Sequence, residues 1–401
     1  MTSTFSFGFA GDDIDIDDID VDDVHEKDTS AAQEGSRESG LPELVAARKH
    51  GMDEWLPTLP SQISYNKCII RPSQGASTES KSNFPLTIAR REVFDIRAQL
   101  MAEDGAEEEN GELIAGLEKG DITPNFYEGG FKTWECSVDL AGLLVAEGVE
   151  IGGHVVELGA GTAIPSLALF AQMLARTGTE AQSTSPPTST STSTKEMKRT
   201  HFTFADYNSA VLRLVTLPNL LLTWNHVTTR RHPTPAFGVQ HEDKTDEHHH
   251  HQQQQEEEGE EEEFLDITPG LLNSFQRDLA QRGITIDFIS GAWSPSFVDL
   301  VFSSSIEVAS LETLVLASET IYSPASLVAF SETLLALLCR SSVGSRALLA
   351  AKKVYFGVGG GVDEFLAVLR RVSDSELRVE ERMDVKSEGV GRIVLEIGAG
   401  I

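Results

Sequence analysis

The stretch His154–Pro165 (HVVELGAGTAIP) limits the possible architectures more than any other part of the chain. Val155-Val156-Glu157-Leu158 is a short, mainly apolar run of the kind that a parallel sheet buries on both faces. Gly159-Ala160-Gly161 then turns the backbone. Ile164–Leu174 has helical character, and Pro165 fits its first turn, where no intrahelical N–H is needed. Strand, glycine turn and helix start, in that order, form the ligand crevice of doubly wound α/β folds. The glycines let a ligand lie against bare backbone, and the helix start offers unpaired N–H groups.

Ile164 stands where a dinucleotide fingerprint would need its third glycine, which argues against NAD or FAD. Glu157, a carboxylate at the strand's end, suits the positively charged amino-acid end of S-adenosylmethionine, indirectly or through water. A tight turn without a ligand is the alternative. A second strand, His201–Asp206, ends in an acid 45 positions after Gly161, or 22 once a 23-residue insert at 177–199 is set aside. That is close to the roughly 20-residue offset at which such an acid meets a ribose hydroxyl. Asp206 as N-cap of a helix starting near Asn208 is an equally physical role.

The βα rhythm continues. Residues 285–289 form a third strand, followed by Trp293, and Thr313–Ser318 a fourth, followed by Glu319-Thr320-Ile321-Tyr322. A helix over 324–339 leads to a fifth strand at Arg346–Ala351. A glycine run, a helix over 363–371 and strands near 376–384 and 392–397 complete the chain. This order predicts an α/β, doubly wound, Rossmann-like sheet of seven mostly parallel strands, the last antiparallel, with helices on both faces. Ligand groups then belong at the carboxyl ends of the first four strands, where Glu157, Asp206, Trp293 and Glu319 stand. Glu396–Gly400 repeats the ELGAG pattern, but no helix follows it, so it reads as a last strand.

Composition places bounds on partners. A formal net charge of −31 over 401 residues argues against nucleic acid as the direct ligand and suits a basic protein partner. Cys68, Cys136 and Cys339 show no metal spacing, as expected in a reducing compartment. No leader pattern and no apolar run of membrane length is present, so a soluble, cytoplasmic monomer is expected, with the nucleus left open. Residues 1–40 read as an acidic, disordered tail, with ten acids against one lysine over 11–28. Phe5, Phe7 and Phe9 before that run are too apolar for idle tail.

Residues 41–124 form an N-terminal extension, with a short helix at Leu41–His50, a strand at 62–70 and a straight or bent helix at Leu86–Met101. The main domain spans 125–401, interrupted by low-complexity inserts at 177–199 and 228–263. His248–His251 lie in the second insert and read as an expanded loop rather than a metal site.

Together, YEGGFKTWECSVDL, VVELGAGTAIPS, FADYN with TLPN downstream, LASETIY and KKVYFGVGGGV resemble the protein-histidine N-methyltransferases, a branch of the seven-β-strand S-adenosylmethionine enzymes. TFSFGF (residues 4–9) with the acidic run resembles fungal members. The likeness covers residues 1–24 and 84–401, less the two inserts. It implies methyl transfer from S-adenosylmethionine to an imidazole nitrogen of a histidine in a basic, large-subunit ribosomal protein. It also implies that Trp134, Glu157, Gly159, Ala160, Gly161, Asp206, Tyr207, Asn208, Trp293 and Ser318 hold the cofactor. Glu319 and Tyr322 would be catalytic, facing the methyl group and the substrate.

Chemistry narrows the remaining roles. An imidazole with pKa about 6.5 is mostly neutral at pH 7 and needs no strong base. It needs an acceptor for its other N–H, for which Glu319 serves, and an aromatic or anionic wall for the forming cation. Tyr322, Tyr355 and Phe356 can supply that wall, although ordinary packing explains Tyr355 and Phe356 equally well. Gly357 and Gly359–Gly361 let a substrate backbone approach, or form a mobile turn. Tyr355, Phe356 and Gly359 are therefore the candidate substrate contacts. Trp134 is otherwise a buried core indole, Cys136 is inert packing, and Lys352 and Lys353 are expected to face solvent. Two other functions compete: a protein-lysine methyltransferase, and a non-catalytic acidic escort of a basic ribosomal protein.

Overall fold

A computed structural model describes residues 45–73, 84–103, 129–149, 152–180, 199–230, 263–303, 311–357, 359–386 and 389–399. The acidic tail, the linker after 103, the histidine tract and most of both inserts lie outside these residues.

The apolar run around Val155 is the central strand of the main sheet. Strand β4 (Gly153–Leu158), buried along its whole length, lies parallel between β5 (Thr200–Asp206) and β8 (Thr313–Ser318). Strands β7 (Ile284–Ser290) and β9 (Arg346–Lys352) extend the parallel set on either side. The last strand, β11 (Arg392–Ala399), runs antiparallel between β9 and β10 (Leu377–Val385), as the sequence predicts. An eighth strand, β1 (Arg48–His50), closes the other edge, giving the order β1-β7-β5-β4-β8-β9-β11-β10.

Pleating sends alternate side chains to opposite faces, and each face is covered by helices. Val155, Phe202 and Phe204 pack toward α2 (Glu135–Glu147), α3 (Ile164–Glu180) and α4 (Leu217–Thr229). Val156 and Leu158 pack toward α6 (Pro295–Val301), α7 (Leu327–Arg340) and α8 (Val362–Val372). Phe202, Phe204, Phe330 and Phe365 are fully buried, each contributing about 1.5–3 kcal/mol of transfer free energy. The Pro165 N–H is absent where the start of α3 needs none, so the strand passes into the helix within a few residues.

Two local expectations are corrected. Of the helix expected over 41–50, residues 45–50 are described and none is helical: 45–47 are irregular and Arg48–His50 is a strand, because it pairs with the open edge of β7, Lys49 opposite Ile289. The helix expected over Leu86–Met101 is instead strand β3 (Leu86–Arg91) followed by helix α1 (Val93–Glu103). β3 pairs with β2 (Gln62–Ile70), and β2 with β6 (Glu263–Asp266), which enters only after the second insert. This small antiparallel sheet rests on α4 through Thr223 Oγ1, which donates to the Ala89 carbonyl at 3.4 Å. Among the described residues, no helix is long and apolar enough to cross a membrane.

Candidate active site

A cavity of about 290 Å³ opens at the carboxyl ends of the central strands. Its wall brings together Trp134, Gly159, Ala160, Gly161, Asp206, Tyr207, Asn208, Trp293, Ser318, Glu319 and Tyr322, all read from the sequence as site residues. Helix α5 (Pro269–Gln281), which precedes β7, takes no part in it.

The glycine turn is built by backbone geometry. Gly159 and Gly161 have φ of +66° and +51°, the left-handed region that glycine enters without strain. A Cβ on Gly159 would sit 2.7 Å from Thr320 Cγ2, and one on Gly161 3.1 Å from the Gly130 carbonyl. Asp206 braces the turn: Oδ2 accepts the Gly161 N–H and Oδ1 the Asn208 N–H, each at 3.1 Å. The following helical turn is capped by Asn208, whose Oδ1 accepts the Ala210 N–H at 2.8 Å, rather than by Asp206.

Glu157 is not on the wall. It is 1 % exposed, and its Oε2 accepts the Ser166 N–H, an orphan donor in the first turn of α3, at 3.0 Å. Its other oxygen has no hydrogen-bond partner among the described residues, and burial pushes the carboxyl up to about 8.

Trp134 stands at the start of α2, its Nε1 donating to the Gly129 carbonyl at 2.9 Å. The ammonium groups of Lys132 and Lys352 lie 5.5 and 5.2 Å from its ring centre, within cation–π range. Trp293 meets Phe297 and Phe330 edge-on at 5.1 and 6.0 Å between ring centres, one face of the cleft thus continuing the core.

Glu319 carries strain. With Ala163 it is one of two non-glycine residues of positive φ among the described residues, at 56° and 57°. Such positions cost about 1–3 kcal/mol each and gather where function requires a fixed geometry. The Glu319 N–H is held by the Ala350 carbonyl at 3.0 Å. Its carboxylate accepts the Tyr355 hydroxyl at 2.5 Å and lies 3.8 Å from the Lys352 ammonium. Lys352 is therefore not the solvent-facing residue expected: its side chain is 21 % exposed and pairs with Glu135 at 3.3 Å. The desolvated acid at the end of β8 draws the cation inward. Lys353 is more open and pairs with Asp384 at 2.7 Å.

The three candidate substrate contacts lie off the cavity wall. Tyr355 is half-buried behind Glu319, while Phe356 and Gly359 are exposed. Cys136 is buried beside Glu319, and burial together with the carboxylate's charge pushes its thiol far up, in keeping with inert packing.

Thr216 and Asn219, which bound the TLPN segment and have no role assigned from the sequence, hold the glycine turn from beneath. Thr216 Oγ1 donates to the Gly161 carbonyl at 2.7 Å, and Asn219 Nδ2 to the Thr162 carbonyl at 3.1 Å. Asn219 Oδ1 accepts the Arg91 N–H at 2.7 Å, so β3 is tied into the same brace. The available signal was a polar asparagine inside the apolar run LPNLLL.

No protein-family model matches the chain. Solved structures align loosely, among them TrmN from Thermus thermophilus at a TM-score of 0.30 and 12% identity, covering 71% of this chain and 51% of that one. Sequence relatives are much nearer. Histidine protein methyltransferase 1 of Schizosaccharomyces pombe is 31% identical, covering 88% of this chain and 85% of that one. The rat homolog of histidine protein methyltransferase 1 is 27% identical, covering 92% and 81%. Histidine protein methyltransferase 1 of Saccharomyces cerevisiae is 32% identical, covering 98% of this chain and 97% of that one, and on that likeness the chain belongs to the histidine protein methyltransferase 1 family.

Proposed function

We propose that this enzyme transfers a methyl group to an imidazole nitrogen of a histidine in a basic, large-subunit ribosomal protein, with Glu319 and Tyr322 facing the acceptor. The observation that carries the reading is the convergence of the glycine turn, Asp206, Trp293 and Glu319-to-Tyr322 on one cavity.

S-adenosylmethionine is the cofactor, and the residues present fit it. The Gly159–Gly161 turn is a cradle whose side-chain space is already filled, so only bare backbone can face a ligand there. Asp206 and Asn208 stand beside that turn on the cavity wall, and Trp134 and Trp293 offer flat apolar surface. When bound, the cofactor supplies an electrophilic methyl group on a sulfonium, which leaves as a neutral thioether.

The chain's own residues then have three tasks. They align the acceptor, which dominates an in-line displacement. They accept the N–H of the ring nitrogen that does not react, a task for the Glu319 carboxylate, which fixes the tautomer and takes up the charge that develops on the ring. They keep water out, a task for the aromatic wall of Trp293 and Tyr322. No strong base is needed for a group that is mostly neutral at pH 7, whereas a lysine ammonium would need one. The net charge of −31 supports a basic protein partner, which is also the chief support for an escort function.

The test is tritiated methyl transfer from S-adenosylmethionine into an extract lacking the enzyme, with Glu319→Ala as control. Labelled methylhistidine in a ribosomal protein, lost with Glu319→Ala, is expected. Methyl-lysine in its place overturns the assignment, as does an absence of label while calorimetry shows intact cofactor binding, the latter in favour of the escort.

A further inference from the structure

The glycine-rich segment after β9 has a task other than opening space for a substrate backbone. Val354 bridges to Gly361, the Tyr355 N–H donates to the Gly360 carbonyl at 3.0 Å, and the Gly359 N–H returns to the Tyr355 carbonyl at 3.1 Å. This closed loop lies directly on the Ile321–Tyr322 backbone, where a Cβ on Gly360 would collide with both carbonyls. Close approach is thus required, and the group it brings in is Tyr355. The Tyr355 and Tyr322 rings meet edge-on at 6.3 Å between centres.

The Tyr355 hydroxyl is fully committed. It accepts the Lys352 backbone N–H at 3.2 Å and gives its single proton to Glu319 Oε2 at 2.5 Å. On the other side of the same carboxylate, the Lys352 ammonium lies 3.8 Å from Oε1, which has no hydrogen-bond partner among the described residues. Lys352 is itself held by Glu135 at 3.3 Å and by the face of Trp134. A carboxylate offers about four lone-pair sites, so a phenol on one oxygen and a cation near the other restrict its rotation without exhausting its capacity to accept.

Resting on Glu319 as the acceptor of the imidazole N–H, we propose that Tyr355, with Lys352, is a positioning residue that locks the Glu319 carboxylate in one orientation and thereby determines which ring nitrogen is methylated. The unreacting N–H is held by Glu319, and the opposite nitrogen, carrying the free pair, is the one that would form the new N–C bond as the methyl–sulfur bond breaks and its electron pair stays on the departing thioether. When the ring gains a methyl group it becomes cationic, and its N–H proton passes by way of the carboxylate to solvent. A carboxylate free to swing would accept the ring in either sense and give both isomers. Tyr355 acts through Glu319, since it stands off the cavity wall.

The experiment compares Tyr355→Phe, Glu319→Gln and the double variant. It reads kcat, cofactor affinity by calorimetry, and the ratio of the two methylhistidine isomers by chromatography after acid hydrolysis. Tyr355→Phe removes one charge-assisted hydrogen bond while keeping the ring, so kcat falls about 10- to 100-fold. Cofactor affinity is unchanged, and the second isomer appears. In the Glu319→Gln background the same change has little further effect, the mark of coupled residues. A single isomer in Tyr355→Phe, or losses that multiply in the double variant, overturns the proposal. Should Tyr355→Phe fail to fold, seen as lost cofactor binding, Lys352→Met is read by the same ratio, and a single isomer there overturns it. Failure of the functional reading is distinguishable, because the unaltered enzyme would then yield no methylhistidine at all.

Discussion

The Asp206 carboxylate accepts the Gly161 backbone N–H at 3.1 Å, so the acid that ends β5 and the glycine turn that follows β4 are one hydrogen-bonded unit. Its second oxygen holds the Asn208 N–H. Hydrogen bonds to a charged acceptor contribute about 1.5–3 kcal/mol each. Asp206→Ala removes two and releases the turn, so cofactor affinity measured by calorimetry should fall by more than about tenfold, and the thermal midpoint should drop. Asp206→Asn keeps one acceptor but sets an amide NH2 against a backbone donor, and should lie between the two. Unchanged affinity in Asp206→Ala would show that the bond is incidental to the turn.

Asn219 supports the same turn from the other side. It is fully buried, donating to the Thr162 carbonyl and accepting the Arg91 N–H. Asn219→Ala leaves both backbone groups unpaired, each at about 1–3 kcal/mol. Urea unfolding should therefore show a loss of about 2–6 kcal/mol by the same accounting, with weaker cofactor binding alongside. Asn219→Asp restores the acceptor but not the donor and should recover only part. A loss no larger than that of an exposed substitution would mean that water replaces the amide.

The central sheet was legible in the sequence because its strands are short apolar runs between helix signals, and β8 was read to the residue. The cleft was legible because groups at the carboxyl ends of neighbouring parallel strands must converge. What escaped is long-range. Leu86–Arg91 is locally compatible with a helix, and only pairing with Gln62–Ile70 makes it a strand. Arg48–His50 is a strand only because β7 leaves an open edge. Glu157 carries the right charge at the right end of β4, but its pleat turns it into the start of α3. Lys352 reads as solvent-facing and Tyr355 as a substrate contact because nothing local reveals that the end of β9 brings them behind Glu319, 33 and 36 residues earlier.

The buried Glu157 carboxyl makes stability fall with rising pH. Its folded-state pKa is raised from 4.5 to about 8, chiefly by burial. The folded protein thus holds this proton more tightly than the unfolded chain does. The stabilisation is complete below about pH 4.5 and is lost as pH rises through about 8. Glu157→Gln has no proton to lose. Urea midpoints of the cofactor-free protein, taken at intervals across that window, should show the variant gaining on the parent as pH rises, then running parallel above it. Parallel curves throughout would mean that Glu157 is ionised in the folded state at neutral pH.

His154 acts in the opposite sense, at the far end of the same strand. It is 1 % exposed, its Nε2 lies 2.8 Å from Thr203 Oγ1, and its ring meets that of His201 at 4.8 Å. Burial first, and then the neighbouring His201, lowers its pKa from 6.5 to about 3, against the raising effect of Asp287. A depressed imidazole is neutral when folded, so its contribution is intact above about pH 6.5, where the unfolded chain is neutral too, and is lost as pH falls toward about 3. Within that window the loss approaches about 1.4 kcal/mol per pH unit. His154→Gln keeps a partner for Thr203 and removes the titration. Its urea midpoint should start below that of the parent at pH 7 and decline less steeply on acidification, so that the two curves converge. Equal acid slopes would show that His154 protonates in place. With Glu157 pulling the other way, the two windows overlap and their slopes cancel, so the cofactor-free enzyme should be most stable between about pH 4.5 and 6.5.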